Sequence, residues 1–87
     1  MLQVDVDLVE EGEEYFITIF KNEDTAHLGN LTTCPIKCTV LEVASTEGGI
    51  EFIHFDSIDS KYSRLSQISF LLRSYGKNWI LEEVDNV

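Results

Sequence analysis

Apolar and polar residues alternate from the start of this chain. Leu2, Val4, Val6 and Leu8 fall on one side, and Gln3, Asp5 and Asp7 on the other. That period of two predicts a strand over Leu2–Val9 with one wet face. Glu10-Glu11-Gly12-Glu13 interrupts it as a turn, with Gly12 available for a positive φ. Glu14–Lys21 is rich in aromatic and β-branched residues and predicts a second strand. Tyr15, Ile17 and Ile19 mark one of its faces and Phe16 and Phe20 the other, so both faces are apolar. It is placed centrally, antiparallel to the first.

Asn22–Pro35 has polar punctuation and no period, and predicts a long connection of the kind that covers an apolar edge or carries function. Ile36–Ala44 and Ile50–Phe55 predict a third and a fourth strand. Ser45–Gly49 joins them as a hairpin turn, with Gly48-Gly49 at its tip. From Asp56 to Gly76 the period changes. At about 100° per residue, Ile58, Leu65, Ile68 and Leu72 gather on one stripe bordered by Tyr62, Leu71 and Tyr75. Ser57 or Asp59 supplies an N-cap and Gly76 a C-cap, which predicts one helix over about 57–75. Asn78–Val84 alternates again and predicts a fifth strand returning to a sheet edge, with a helix from Asn78 as its competitor.

The predicted fold is α+β: a four- to five-stranded antiparallel sheet in the order ββ-loop-ββ-α-β, with one helix packed on one face. A strand of eight residues spans about 26 Å and a helix of eighteen about 27 Å, so one helix crosses the whole sheet. The expected core is Val4, Val6, Leu8, Ile17, Ile19, Val40, Ile53, Leu65, Ile68 and Leu72. The chain has 87 residues, which is the size of a single domain over 1–87. Its hydrophobic fraction of 44% argues against disorder. No apolar run approaches the roughly 18 residues of a membrane span. The acidic, alternating N-terminus is unlike a secretion signal, so a cytoplasmic location is expected.

Charge changes the picture most. Net charge is −10, and its distribution is uneven. Residues 1–24 hold eight acids (Asp5, Asp7, Glu10, Glu11, Glu13, Glu14, Glu23, Asp24) against Lys21 alone. Residues 25–81 balance five acids with five bases, and Glu82, Glu83 and Asp85 close the chain without a base. Such a surface repels nucleic acid and anionic lipid, so direct binding to either is not expected.

Little in the sequence points to chemistry. Cys34 and Cys38 in CPIKC, with His27 and His54, make up a two-Cys, two-His set. In an extended chain the two cysteines stand about 13 Å apart, too far to share one ion or to form a disulfide. Small buried thiols are the simpler account, and no metal or cofactor is expected. There is no serine or cysteine nucleophile set and no phosphate loop, because Gly48-Gly49 joins two strands. DVDLVEEGEE puts Val9 where a calcium loop needs a ligand. Ser57, Ser60, Ser63, Ser66 and Ser69 recur every three residues and keep the predicted helix soluble.

The acids of the first hairpin support a partner instead. Asp5 and Asp7 project from the wet face of the predicted strand about 7 Å apart. Glu10, Glu11, Glu13 and Glu14 add to one end, and Glu23 and Asp24 follow the second strand. Carboxylates spaced on a rigid sheet imitate a nucleic-acid backbone and suit a basic groove on another protein. A merely solvated acidic face is the plain alternative. Phe70 falls about 140° from the helix stripe, on its outer side, with Arg73 on a flank. It is either an exposed interface anchor or a residue that the Trp79 segment folds over.

No motif ties the chain to one family. In size and acidity it is similar, as a class only, to small phage-encoded proteins that block bacterial defence nucleases, including anti-CRISPR and anti-restriction proteins. Toxin-neutralising immunity proteins share the outline. The expectation is a non-catalytic inhibitor or nucleic-acid mimic that covers the basic, nucleic-acid-facing surface of a larger protein, such as a nuclease. The alternative is a structural module that self-associates, as a homodimer, through a sheet edge or the outer helix face.

Overall fold

The computed structural model describes residues 3–84. Leu2 of the predicted first strand and Asp85 lie outside them. Five strands form one antiparallel sheet: β1 (Glu14–Ile19), β2 (Ile36–Ser45), β3 (Glu51–Ser57), β4 (Phe70–Leu71) and β5 (Trp79–Glu83), in the spatial order β4-β3-β2-β1-β5. Among the described residues the helical pieces are all 3-10: η1 (Val6–Leu8), η2 (Ala26–Thr32), η3 (Ser60–Gln67) and η4 (Leu72–Ser74). The α+β class therefore holds, with two short helices and two single turns in place of one long helix.

β1 lies inside the sheet, one strand from its edge, and its neighbours are β2 and β5 rather than the N-terminal segment. Ile17 stands opposite both Ile36 and Leu81. The hairpin from β2 to β3 turns through Thr46 and Gly49, where φ of +83° needs glycine. Within it Val40 opposes Phe55 and Glu42 opposes His54, so Leu41 is an extra, bulged residue. The bulge shifts the alternation: Val40 is buried at 1%, while Val43, opposite buried Ile53, is 38% exposed.

Residues Leu2–Val9 do not make the predicted strand. Gln3 forms a lone bridge to Glu82, and Val4 donates its N–H to Leu81 O at 2.9 Å on the free edge of β5. The chain then leaves the edge because Asp5 caps a turn, accepting the Asp7 N–H at Oδ1, 3.1 Å away. That turn presents Val6 and Val9 inward and turns Leu8 out, 71% exposed.

The predicted helix over 57–75 is replaced by η3, β4 and η4. Asp59 caps η3 through the Lys61 N–H. Tyr62, Leu65 and Ile68 are spaced by three, the period of a 3-10 turn, and all meet the core. Ser66 and Ser74 hydroxyls bond the carbonyls of Ser63 and Leu71, three residues back. The chain becomes extended at Ile68, where a longer helix would have held Phe70 in water. As β4 it buries Phe70 instead, at 5% exposure. Phe70 is thus not an exposed anchor: the Trp79 segment covers it, with ring centroids 5.3 Å apart.

The core lies on one face of a curled sheet. Ile17, Ile19, Ile36, Cys38, Val40, Ile53, Phe55, Leu65, Trp79 and Leu81 are joined by Leu28 and Leu31 of the 22–35 connection. Of the expected core only Leu8 is misplaced; Val4, Val6, Ile68 and Leu72 pack at its margin. No helix among the described residues is long and apolar enough to cross a membrane.

Truncation separates these positions. Leu65→Ala, at a fully buried site, should cost about 2–5 kcal/mol, whereas Leu8→Ala should stay within about 0.5 kcal/mol of the parent. Urea unfolding of the two variants checks the assignment, and the reverse order would restore the N-terminal strand.

Candidate functional site

The start of β1, the end of β5 and the N-terminal segment meet at one end of the sheet. Antiparallel pairing sets Tyr15 opposite Glu83. The edge contact of Val4 with Leu81 brings Asp5 alongside. Asp5, Glu13, Glu14 and Glu83 consequently line one open depression of about 760 Å³ together with Tyr15. Leu8 borders it as an exposed apolar side chain. Glu10 stands near enough to act on the Tyr15 phenol.

The electrostatic consequence is read at Tyr15, which is 6% exposed. Burial, followed by the negative charge of Glu13, Glu10 and Glu83, pushes its phenol from 10.0 up to about 12. Among the described residues the only lysine paired with this group is Lys37, whose Nζ lies 3.9 Å from Glu14 across an exposed contact. Such a pair offsets little of the charge.

Other predicted site residues lie elsewhere. Glu11 turns to β2 and accepts the Val43 N–H at 3.4 Å. Asp7 shares a second depression with Glu51 and Arg73, at the tip of the β2–β3 hairpin. Glu23 and Asp24 come after the far end of β1, and Asp24 borders a depression with Arg73 and Lys77. Arg73 thus shares both depressions with acids of its own chain, and Phe70 is in the core. Glu83 and Tyr15 were not picked out from the sequence. The alternation of Trp79 and Leu81 had signalled β5, but only its pairing with β1 puts Glu83 into the acidic group.

Both cysteines are free thiols. Cys38 is fully buried, and burial pushes its thiol up to about 12, which keeps it unreactive. Cys34 Sγ lies 3.1 Å from Tyr62 Oη, and this hydrogen bond is the main cause of a raised Tyr62 phenol. Among the described residues no three His, Cys, Asp or Glu side chains converge to hold a metal.

A second cluster escaped the sequence entirely. Ser69 Oγ stands 2.7 Å from His54 Nε2, and Glu42 Oε2 is 3.9 Å from His54 Nδ1. The order of groups is that of a nucleophile, base and acid. The Glu42 distance exceeds hydrogen-bond range, and the Ser69–His54 bond is exposed to water. As built, the trio laces β2, β3 and the approach to β4.

No protein-family model, curated protein or solved structure matches the chain.

Tyr15 makes the acidic end measurable. Its phenol keeps its proton in the folded state above pH 10.0, so stability is full below that pH and falls as pH rises towards about 12. Tyr15→Phe should remove this part of the loss. Glu13→Gln with Glu83→Gln should lower the Tyr15 midpoint in a spectrophotometric titration while leaving the burial contribution. An unchanged midpoint would mean that the carboxylates do not reach the phenol.

Proposed function

We propose that the protein is a non-catalytic binding protein that docks its acidic end on a basic, nucleic-acid-facing surface of a larger protein. The observation that carries this is the convergence of Asp5, Glu13, Glu14 and Glu83, from three separate stretches of chain, on one depression whose sole paired lysine among the described residues is the exposed Lys37. Strand ends held in register keep these charges in place before a partner arrives, so little ordering is needed on binding. Like charges held together cost stability, and a cationic neighbour relieves that cost while accelerating encounter. Inhibition of a nuclease or of a nucleic-acid-binding complex is the activity that this surface suits, with no metal or cofactor taking part. Self-association through an outer helix face loses its anchor, since Phe70 is buried.

Two charge-reversal sets test the proposal. Asp5, Glu13 and Glu83 to Lys should abolish recovery of host proteins by affinity capture. Glu23, Asp24 and Glu47 to Lys carry the same change in net charge and should leave recovery intact. Binding by the parent should also weaken steeply with salt. Equal loss from both sets would reduce the effect to overall charge and sink the assignment.

A further inference from the structure

The sheet has a second face. Along β1, Tyr15, Ile17 and Ile19 point into the core, so Phe16, Thr18 and the following Phe20 point to the opposite side. Cross-strand pairing extends this outer face: Phe16 stands opposite Lys37 and Glu82, and Thr18 opposite Ile80. Phe16 and Ile80 are half-buried yet neither belongs to the core cluster nor packs against it, and Phe20 is 37% exposed. The helical segments contribute Val6, Leu28, Leu31, Tyr62, Leu65 and Leu72 to the inner side. A half-solvated antiparallel strand ordinarily alternates apolar with polar, and β1 does not.

We infer that Phe16, Phe20 and Ile80 form the apolar seat for the same basic partner proposed above, an inference that rests on that reading. Charge selects this occupant over a second copy of the chain. Glu14 lies two residues from Phe16 on the same face, and Glu82 lies directly across from it. Against them stands Lys37, already beside Glu14. Two copies facing each other here would oppose acid with acid at a net charge of −10 each. A surface with an apolar centre bordered by Lys and Arg meets both the aromatic seat and its acidic rim. Glu14 also lines the acidic depression, so the footprint of a partner that reaches both the seat and the depression turns around the start of β1 at this residue. In that footprint the carboxylates steer the encounter, while Phe16 and Ile80 slow dissociation.

Two peptides of equal positive charge serve as probes: oligolysine, and a soluble peptide with leucines on one side and lysines on the other. Calorimetry should show the leucine-lysine peptide binding about tenfold tighter or more. That margin should vanish in Phe16→Ser and in Thr18→Arg, the second of which leaves every apolar side chain in place. Circular dichroism melting confirms that each variant is folded, and amide shifts on binding should map to Phe16, Thr18 and Ile80. Equal affinity for the two peptides overturns the seat while leaving the acidic end intact. Failure of both to bind removes the acidic reading itself. A dimer in sedimentation equilibrium that Thr18→Arg splits assigns the face to a second copy and also overturns the proposal.

Discussion

Trp79 closes this fold. It begins β5 at one edge of the sheet, yet its ring centroid lies 5.3 Å from that of Phe70 in β4, at the other edge. In a flat five-stranded sheet those edges would stand roughly 19 Å apart. The sheet must therefore curl, and the bulge at Leu41 provides local bending and twist. Phe55 and Tyr75 complete the aromatic cluster around the indole. Its N–H is satisfied by Leu71 O and Ser74 Oγ, so burial leaves no unpaired donor. Once the edges meet, little is left for helices to cover. Short 3-10 pieces suffice, and the link from β4 to β5 shrinks to η4 and a turn at Gly76.

The same closure fixes the acidic end. Tyr75, held against Trp79, donates its hydroxyl to Val4 O at 2.7 Å and accepts the Leu81 N–H at 3.0 Å. That phenol fastens the N-terminal segment to β5 and so delivers Asp5 to Glu83. The proposed docking surface is thus not a mobile acidic tail but a by-product of how the core shuts.

Strands were legible in the sequence where both neighbours agreed with the local period. β1, β2, β3 and β5 fall within a few residues of expectation, because β-branched and aromatic runs bounded by glycine or polar turns leave no competing pattern. The helix over 57–75 failed for a reason already present in the chain. Serines at every third position match three residues per turn rather than 3.6, and Tyr62, Leu65 and Ile68 keep the same spacing. Phe70, awkward on any helix face, was the second sign. The N-terminal strand failed because a capping Asp5 outweighed two further steps of alternation.

Half of the site could be read from composition and half only from pairing. The excess of acid near the N-terminus pointed to Asp5, Glu10, Glu13 and Glu14, which the fold brings to one end of the sheet, but it could not divide them from Asp7, Glu11, Glu23 and Asp24, which long-range contacts send elsewhere. Nor could it add Glu83, whose place depends on a strand pairing across sixty-eight residues of chain, Tyr15 to Glu83. Phe16 had the opposite history. Its apolar character on the second face of β1 is plain in the sequence, which places the strand centrally on that ground. Among the described residues the helical segments cover only the other face, and the proposed partner would meet the apolar side of β1 from outside, beside the carboxylates that would select it.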